Sequence, residues 1–254
     1  MRIATYNVNG VNGRLPRLVE WLQETGPDVV CLQELKTDDS KFPAGALEAV
    51  GYGAVWHGQR SHHGVAILAK GEMPCEIRRG LPGDPEDKQS RYLEAEIKGL
   101  VVASIYLPNG NPQPGPKFDY KLRWFERLIE HAKTLRESTG PVVLAGDFNV
   151  VPTNADIYNA WVWRLDAVMQ PESRNAYQRL LAQGWIDSTR YVYPTTKIYT
   201  FWVNARAFVR NAGFRMDFLL VCPALLPTLR GAGVDHEFRG REGASDHAPT
   251  WIAV

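Results

Sequence analysis

Eight short apolar runs, separated by turn-forming residues, restrict the possible folds of this chain more strongly than any other pattern in it. The runs are rich in β-branched residues, and several are too continuous for one face of a strand to lie in water. They occupy residues 2–6, 29–33, 64–69, 92–97, 100–107, 142–146, 216–221 and 248–254. The pattern therefore predicts eight β-strands that are largely buried.

Two segments between these runs have the apolar spacing of an amphipathic helix. The first follows the i, i+3, i+4, i+7 rule through Leu15, Leu18, Val19 and Leu22. The second is longer and is marked by Leu122, Phe125, Leu128, Ile129, Ala132 and Leu135. Helices that alternate with buried strands indicate an α/β sandwich, with sheets inside and helices outside.

The organisation along the chain predicts a single domain covering residues 1–254. The sequence has no internal repeat of fixed period, no low-complexity tract and no shift in composition of the kind that marks a linker. The proline-rich segment 108–116 is interpreted as a long loop.

Composition and charge exclude several classes of protein. Apolar residues make up 44% of the chain and charged residues 22%, which favours a large core over disorder. The net charge of +1 provides no global basic field, so a polyanionic partner must be held by a local patch. The sequence contains no apolar run long enough to cross a membrane and no signal-peptide pattern, and Cys31 and Cys222 lie inside apolar runs. These features predict a cytoplasmic protein with reduced cysteines.

Polar residues at the ends of the predicted strands are the first candidates for function. They carry acidic, amide, phenol and imidazole groups: Asn7, Asn9, Glu34, Tyr106, Asp147, Asn149, Asp246 and His247. Burial of a polar group without a partner costs on the order of 2–7 kcal/mol, so these residues need a partner or a function. Because binding groups collect on loops held by a rigid sheet, we expect these side chains to converge on one rim.

The side chains expected at this rim favour a hard metal ion and phosphate chemistry. Carboxylate and amide oxygens suit Mg²⁺, Mn²⁺ or Ca²⁺, and the absence of a cysteine or multi-histidine cluster argues against zinc. A divalent cation beside a histidine and an Asp/Asn pair indicates reactions at phosphate esters. Each piece alone also has a plainer interpretation: Asp147 with Asn149 as a polar turn, residues 245–249 as a loop, and Glu34 as a carboxylate facing water.

Six motifs, taken together and in order, closely resemble the exonuclease III family of apurinic/apyrimidinic (AP) endonucleases. They are TYNVNG (5–10), LQELK (32–36), YLPNG (106–110), GDFNV (146–150), FRMDFLLV (214–221) and SDHAPTW (245–251). The resemblance implies a four-layered α/β sandwich of the deoxyribonuclease I type, with two packed mixed β-sheets flanked by helices. It also implies Mg²⁺-dependent cleavage of DNA on the 5′ side of abasic sites, with Mn²⁺ as a possible substitute. Activities of a 3′-to-5′ exonuclease and a 3′-phosphatase or phosphodiesterase are implied as well.

The resemblance assigns roles to the residues that match the family motifs. Asp147 matches the residue that aligns or deprotonates the attacking water, and Asn149 matches its orienting neighbour. His247 matches a contact to the scissile phosphate, Asp217 its carboxylate partner, and Tyr106 a phenol near the phosphate. The positions that match the metal site are Asn7, Glu34 and Asp246, with Glu34 as the expected direct ligand.

DNA recognition is assigned to other segments by the same resemblance. Residues 199–217 resemble a loop that presses on DNA, with the apolar walls of a pocket for an extruded sugar supplied by Phe201, Trp202, Phe214 and Met216. Backbone phosphates are expected to meet Arg206, Arg210 and Arg215, while Asn109 and Asn159 match amides that touch the phosphates beside the lesion. Core or rim packing, rather than base stacking, is expected for Trp161 and Trp163, and a solvated surface position for His62 and His63.

The expected partner is double-stranded DNA that contains abasic sites or blocked 3′ ends, bound by a monomer. Residues 202–214 resemble animal AP endonucleases more than the enterobacterial exonuclease, whereas residues 111–128 have the bacterial form. The balance of activities therefore stays open, and a mainly 3′-to-5′ exonuclease is one alternative. Another metal-dependent phosphoesterase of the same fold and a non-enzymatic DNA-binding relative are the others.

Overall fold

In the computed structural model, which describes residues 1–137 and 140–254, two six-stranded β-sheets pack face to face. The first sheet has the strand order β11-β12-β1-β2-β4-β3. Its strands are β1 (Arg2–Asn7), β2 (Val29–Gln33), β3 (Tyr52–His57), β4 (Val65–Lys70), β11 (Gly231–Val234) and β12 (Thr250–Ala253). Only β1 and β2 pair in parallel within it.

The second sheet has the strand order β5-β6-β7-β8-β10-β9. Its strands are β5 (Cys75–Arg79), β6 (Tyr92–Ile97), β7 (Leu100–Tyr106), β8 (Val142–Asp147), β9 (Ile186–Asp187) and β10 (Asp217–Val221). Strands β7 and β8 are parallel and the remaining neighbours are antiparallel. Each sheet is thus mixed, as the sequence predicts.

Seven α-helices are described, and the longer ones cover the outer faces of the sheets. They are α1 (Val11–Thr25), α2 (Ala44–Glu48), α3 (Pro116–Glu137), α4 (Pro171–Ala182), α5 (Ser188–Val192), α6 (Ala205–Val209) and α7 (His236–Arg239). The two helices predicted from apolar spacing correspond to α1 and α3. In the described part of the chain, no helix is both long enough and apolar enough to span a bilayer.

Three apolar cores hold the layers together. The central core lies between the sheets and contains buried side chains from both, among them Ile3, Ile67, Leu93 and Val143. One outer core packs α1 on the first sheet and the other packs α3 and α4 on the second. This helix–sheet–sheet–helix order confirms the predicted four-layered sandwich.

All eight predicted strands are present, with ends within two residues of the expected positions. Four further strands were not predicted, because their sequences lack a continuous apolar run. β5 is exposed along its whole length, β9 has two residues, and β11 has the glycine-rich sequence GAGV. β3 carries a mixed sequence, YGAVWH, at a sheet edge. The predicted burial of Cys31 and Cys222 is confirmed, whereas Cys75 is exposed.

Candidate active site

The ends of strands from both sheets meet at one edge of the sandwich. Asn7 ends β1, Glu34 follows β2, Tyr106 ends β7 and Asp147 ends β8. In the second sheet, Asp147 lies opposite Tyr106 on one neighbour and opposite Asp217 on the other. This register places polar side chains from distant parts of the sequence at a common rim.

A cavity of about 330 Å³ opens at this rim. Its lining combines acidic, amide and aromatic groups: Glu34, Tyr106, Asn109, Asp147, Asn149, Trp163, Asp166, Val168, Phe201, Val203, Phe214, Met216, Asp246 and His247. Ten of these residues are predicted site residues. The expected convergence of the strand ends is therefore observed.

The backbone leaves the strands in a conformation that turns the polar groups toward the cavity. Asn9, Glu34 and Asn149 have φ angles of 48°, 55° and 45°, in the left-handed region that non-glycine residues seldom adopt. Gly146 precedes Asp147, and a Cβ atom added to it would lie 1.9 Å from the carbonyl oxygen of Ile105. Only glycine allows β8 to approach β7 this closely at the position that presents Asp147.

Glu34 is a half-buried carboxylate surrounded by donors. Its Oε1 accepts hydrogen bonds from the Tyr106 hydroxyl at 2.7 Å and from the Asn7 amide at 3.0 Å. The ammonium of Lys36 lies 2.8 Å from its Oε2. Burial alone would raise the pKa of Glu34, but these hydrogen bonds and the Lys36 charge together hold it below its ordinary value. Glu34 is therefore anionic at neutral pH.

Asn7 acts as a clamp between two carboxylates. Its Nδ2 donates at 3.0 Å to Glu34 Oε1 and at 3.0 Å to Asp147 Oδ2. Its Oδ1 accepts the backbone N–H of Asn9 at 3.1 Å. The amide nitrogen of Asn7 thus faces the two acids and fixes their positions, and the assignment of Asn7 to the metal site stays a prediction.

The donor set around Glu34 fits a hard divalent cation. Asp246 contributes a second carboxylate to the same cavity, and its Oδ1 accepts from Asn9 Nδ2 at 3.0 Å. The ammonium of Lys36 contacts Glu34 Oε2 and also donates to Asn9 Oδ1 at 2.5 Å. These oxygens thus already attract one positive charge, and oxygen-only ligands match Mg²⁺.

A second cluster lies beside this one and contains Asp147, Asp217 and His247. The Nδ1 of His247 donates to Asp217 Oδ2 at 2.8 Å, and its Nε2 is 3.8 Å from Asp147 Oδ2. Thr200 fixes the start of β10, because its Oγ1 accepts the backbone N–H groups of Met216 and Asp217. All three members of the cluster are buried.

Electrostatics in this second cluster favour an imidazolium. Burial works against the charged ring, but Asp217, Asp147 and Asp246 overcome it and raise the pKa of His247 to about 10. Burial also raises the pKa of Asp147, to about 7, although the charge of His247 opposes this. The ligand atoms of Asp147, Asp217 and His247 lie within 4.8 Å of one another, a spacing that could hold a metal. A protonated imidazole has no lone pair for a metal, so metal binding at this cluster would require His247 to be neutral.

One wall of the cavity is apolar. Phe201 and Phe214 stack with ring centroids 5.6 Å apart, and Phe201 also contacts the His247 ring at 4.7 Å. Trp163 meets Phe214 edge-on at 4.9 Å, so its predicted rim packing is observed. Trp202 is not part of this wall: it is fully buried and packs against Phe208 and His236, which corrects the prediction.

The predicted DNA contacts fall in different environments. Asn109 lines the cavity and donates to Asn149 Oδ1 at 3.0 Å. Asn159 is exposed and accepts the backbone N–H of Val162. Arg206 and Arg210 line a separate surface cavity on α6. Arg215 cannot meet phosphates, because it is buried in ion pairs with Asp156 and Asp187.

Two histidines and one tryptophan lie outside the lining of the active-site cavity. His62 is exposed and His63 half-buried, and both line a neighbouring cavity of about 460 Å³ that also reaches Glu34 and Lys36. Trp161 is exposed to solvent, which excludes the core alternative and leaves the rim position of the prediction.

Lys121 is a site residue that sequence reasoning missed. It lies on α3, is fully buried, and donates from Nζ to the carbonyl oxygens of Asn109 at 3.0 Å and Asn149 at 2.5 Å. It thereby ties together two loops of the cavity. A signal was present, because Lys121 shares the apolar face of α3 with Phe118 and Phe125. A lysine on the buried face of a helix needs a polar partner.

Comparison with known proteins places this site in a family. Residues 4–247 match the Endonuclease/Exonuclease/phosphatase family. Exodeoxyribonuclease III of Haemophilus influenzae is 35% identical over 264 residues, covering 99% of this chain and 98% of its own length. A solved Neisseria 3′ phosphatase bound to a product DNA hairpin is 40% identical with a TM-score of 0.95, covering 99% of this chain and 98% of that one. A solved AP endonuclease from Archaeoglobus fulgidus is 33% identical with a TM-score of 0.93, covering 100% and 98%.

Proposed function

Since the chain belongs to the endonuclease/exonuclease/phosphatase family, we propose that it is a Mg²⁺-dependent DNA-repair nuclease that incises the phosphodiester 5′ to abasic sites. It is a hydrolase that acts on DNA, with exonuclease activity at 3′ ends. The abasic-site proposal rests on one observation: the cavity has a charged wall and an apolar wall. One wall holds His247 beside the carboxylates of Asp217 and Asp147, and the adjoining wall is a stacked pair of phenylalanines.

Asp147 is the proposed base for the attacking water. Water is a weak nucleophile at neutral pH, and a carboxylate with a raised pKa is suited to accept its proton. Burial gives Asp147 such a pKa, and the Asn149 backbone N–H, which donates to its Oδ1 at 2.9 Å, fixes the carboxylate in place. The carboxylate takes the proton as the water oxygen bonds to phosphorus and the P–O3′ bond breaks, and the leaving 3′-oxygen takes a proton from solvent to become the 3′-hydroxyl.

His247, Asp217 and Tyr106 are the proposed phosphate-binding groups. Asp217 occupies Nδ1 of the imidazolium, which leaves the Nε2–H free to donate to a phosphate oxygen. This charge opposes the negative charge that accumulates on the phosphoryl oxygens in the transition state. Tyr106 lines the same cavity and, through its hydrogen bond to Glu34, links the phosphate side to the metal side.

Glu34 and Asp246 are the residues that would hold Mg²⁺, and Mn²⁺ fits the same ligands. A cation bound there would neutralise phosphate charge and stabilise negative charge on the leaving oxygen. Asn7 positions Glu34 and Asp147 relative to each other through its two hydrogen bonds. Asn9 positions Asp246 in the same way.

The apolar wall is the proposed pocket for the abasic sugar. Phe201, Phe214 and Met216 offer no polar partner to a base, and an extruded sugar without a base is small. Asn109, Asn159 and Arg206 are proposed to contact the flanking phosphates. All of these residues come from one chain, so we propose that the monomer is the active unit.

A second candidate is an enzyme that acts mainly on 3′ ends, as an exonuclease or 3′-phosphatase. The relative that favours it is the Neisseria 3′ phosphatase, which is 40% identical to this chain. The same phosphate-binding groups would serve both reactions, so the walls that admit the substrate must decide between them.

Two duplexes separate the candidates, one with an internal tetrahydrofuran abasic analogue and one with a 3′-phosphate end. Each is incubated with the protein in Mg²⁺ or in EDTA. Incision of the abasic duplex only in Mg²⁺ is the expected result. Phosphate release without incision would favour the second candidate, and reaction in EDTA would contradict the metal requirement.

A further inference from the structure

The segment 157–166, between β8 and α4, forms part of the rim of the active-site cavity. Trp163 and Asp166 from this segment line the cavity. Six other residues of the segment are exposed to solvent: Tyr158, Asn159, Trp161, Val162, Arg164 and Leu165. We call residues 158–165 the outer turn.

The outer turn has an unusual concentration of exposed apolar side chains. Of eleven large apolar residues that are exposed in the described chain, four lie within these eight positions. Their exposed fractions are 58% for Tyr158, 72% for Trp161, 63% for Val162 and 69% for Leu165. Contiguous exposed apolar groups at the edge of a functional cavity mark a surface that is covered by a ligand or partner.

The outer turn is held in place rather than loosely tethered. Tyr158 donates its backbone N–H to the carbonyl of Gly213 at 3.0 Å. At the other end, Asp166 Oδ1 accepts from Asn111 Nδ2 at 3.0 Å and from the Val168 N–H at 3.0 Å. Within the turn, the Asn159 side chain accepts the N–H of Val162. A preorganised surface loses little entropy when a ligand covers it.

A positively charged side chain stacks on the exposed indole of Trp161. The Arg164 guanidinium lies over its ring, 4.0 Å from the centroid, and Nη1 donates to the Trp161 carbonyl at 2.9 Å. An aromatic ring fixed beside a guanidinium matches a ligand with both a π-face and a negatively charged backbone. That description fits single-stranded or locally opened nucleic acid.

We propose that the outer turn is a stacking platform for a nucleobase that borders the gap in damaged DNA, with Trp161 as the stacking ring. The proposal rests on the proposed function, because it requires that DNA lie across this cavity. When a sugar without a base occupies the pocket, the neighbouring base loses one stacking partner. The outer turn is continuous with the pocket wall through Trp163, two positions after Trp161, so we place the Trp161 ring beside the exposed face of that neighbouring base. Every base has such a face, so the platform would tolerate any flanking sequence.

Binding in EDTA tests the platform without incision. The variants are Trp161→Ala and Trp161→Phe, with Tyr191→Ala as the matched control, since Tyr191 is an exposed aromatic residue on α5 outside the cavity lining. Fluorescence anisotropy gives the affinity for a duplex with the tetrahydrofuran analogue and for a continuous duplex. We expect Trp161→Ala to weaken binding to the first duplex by about 5- to 100-fold, as loss of one base–aromatic stack predicts, and to leave the second unchanged. Trp161→Phe should retain most of the affinity, and Tyr191→Ala should have no effect.

A second readout reports stacking directly. 2-Aminopurine placed next to the analogue should be quenched on binding of the wild-type protein and less so with Trp161→Ala. An equal loss of affinity for both duplexes would overturn the proposal in favour of a backbone contact. Unchanged affinity for both would also overturn it, and a concentration-dependent dimer abolished by Trp161→Ala would assign the surface to a second copy.

Incision of the same abasic duplex in Mg²⁺ is measured in parallel. Absence of incision by the wild-type protein would count against the proposed function. The difference between the two duplexes in EDTA would still decide the stacking proposal, so the two failures are distinguishable.

Discussion

Two buried clusters, each with one basic side chain and two carboxylates, differ in how completely their hydrogen bonds are formed. The His247 cluster consists of His247, Asp147 and Asp217, one cation between two carboxylates. The Arg215 cluster consists of Arg215, Asp156 and Asp187, again one cation between two carboxylates. The difference in their hydrogen bonding distinguishes a cluster suited to catalysis from one that stabilises the fold.

The Arg215 cluster has its hydrogen bonds complete. Arg215 donates at 2.7 Å to each of Asp156 and Asp187. Asp156 also accepts from Arg190 at 2.6 Å, and Asp187 from the Tyr177 hydroxyl at 3.1 Å. Burial would raise the pKa of Asp156, but the Arg215 charge and these hydrogen bonds hold it below its ordinary value. Nothing in this cluster is left to bind a substrate.

In the His247 cluster, by contrast, some hydrogen bonds are missing. Asp217 Oδ1 is buried without a hydrogen-bond partner among the described residues. The Nε2 of His247 is 3.8 Å from Asp147, beyond hydrogen-bond distance, and burial raises the pKa of Asp147. Groups that are costly in the free protein and face a cavity are typical of a catalytic site.

Changing Asp147 to Asn should have the largest effect. Turnover on the abasic duplex should fall by about 10²- to 10⁴-fold, because the base for the attacking water is lost. The melting temperature should stay the same or rise slightly, since one of two neighbouring buried carboxylate charges is removed. Steady-state kinetics and thermal melting measure the two quantities. DNA affinity that falls as far as turnover would contradict the proposed role.

The matched change in the other cluster is Asp156→Asn, and its effects should be reversed. Removing one partner of a buried ion pair leaves a charge uncompensated, so the free energy of unfolding should fall by about 3 kcal/mol. Turnover per folded molecule should stay close to wild type, because Asp156 lies outside the cavity lining. Urea unfolding and active-site-normalised turnover test this. If Asp156→Asn abolished turnover in the folded protein, the separation of the clusters would be wrong.

Changing Glu34 to Gln should alter the metal requirement instead of the fold. Loss of one anionic ligand should raise the Mg²⁺ concentration needed for half-maximal activity by at least about tenfold. Glu126→Gln is the control, because Glu126 is an exposed acid whose partner is Arg179 on the protein surface. Identical Mg²⁺ titrations for Glu34→Gln and the wild type would remove Glu34 from the metal site.

Sequence alone predicted the sandwich and the polar rim because both depend on local signals. Buried strands have apolar runs, and the polar residues at their ends form recognisable motifs. The direction of a side chain in an extended segment is a different matter, because neighbours point to opposite sides. Phe201 therefore faces the cavity while Trp202 faces the core, and Met216 faces the cavity while Arg215 joins Asp156. Composition cannot decide which of two adjacent residues faces which way.

Lys121 is a third buried basic residue to compare with His247 and Arg215, and changing it should have the smallest effect. It is a fully buried cation like the other two, but the acceptors of its hydrogen bonds are the two neutral carbonyls of Asn109 and Asn149. Burial lowers the pKa of Lys121 to about 7, although the charges of Asp166 and Asp147 oppose this. In the unfolded chain a lysine has a pKa near 10.4.

Between these two pKa values the unfolded chain binds more protons than the folded protein, so the unfolding free energy should rise with pH. From pH 7 to pH 8.5 the contribution of Lys121 should be about 1.5 kcal/mol. Lys121→Met, which has no proton to lose, should lack this rise, and Lys117→Met is the control on the same helix. Urea unfolding at the two pH values measures the difference. If the unfolding free energy of the wild type and of Lys121→Met changed with pH in parallel, the two carbonyls would keep the Lys121 ammonium charged. Lys121 would then be a permanently charged structural contact, like Arg215 with its two carboxylates.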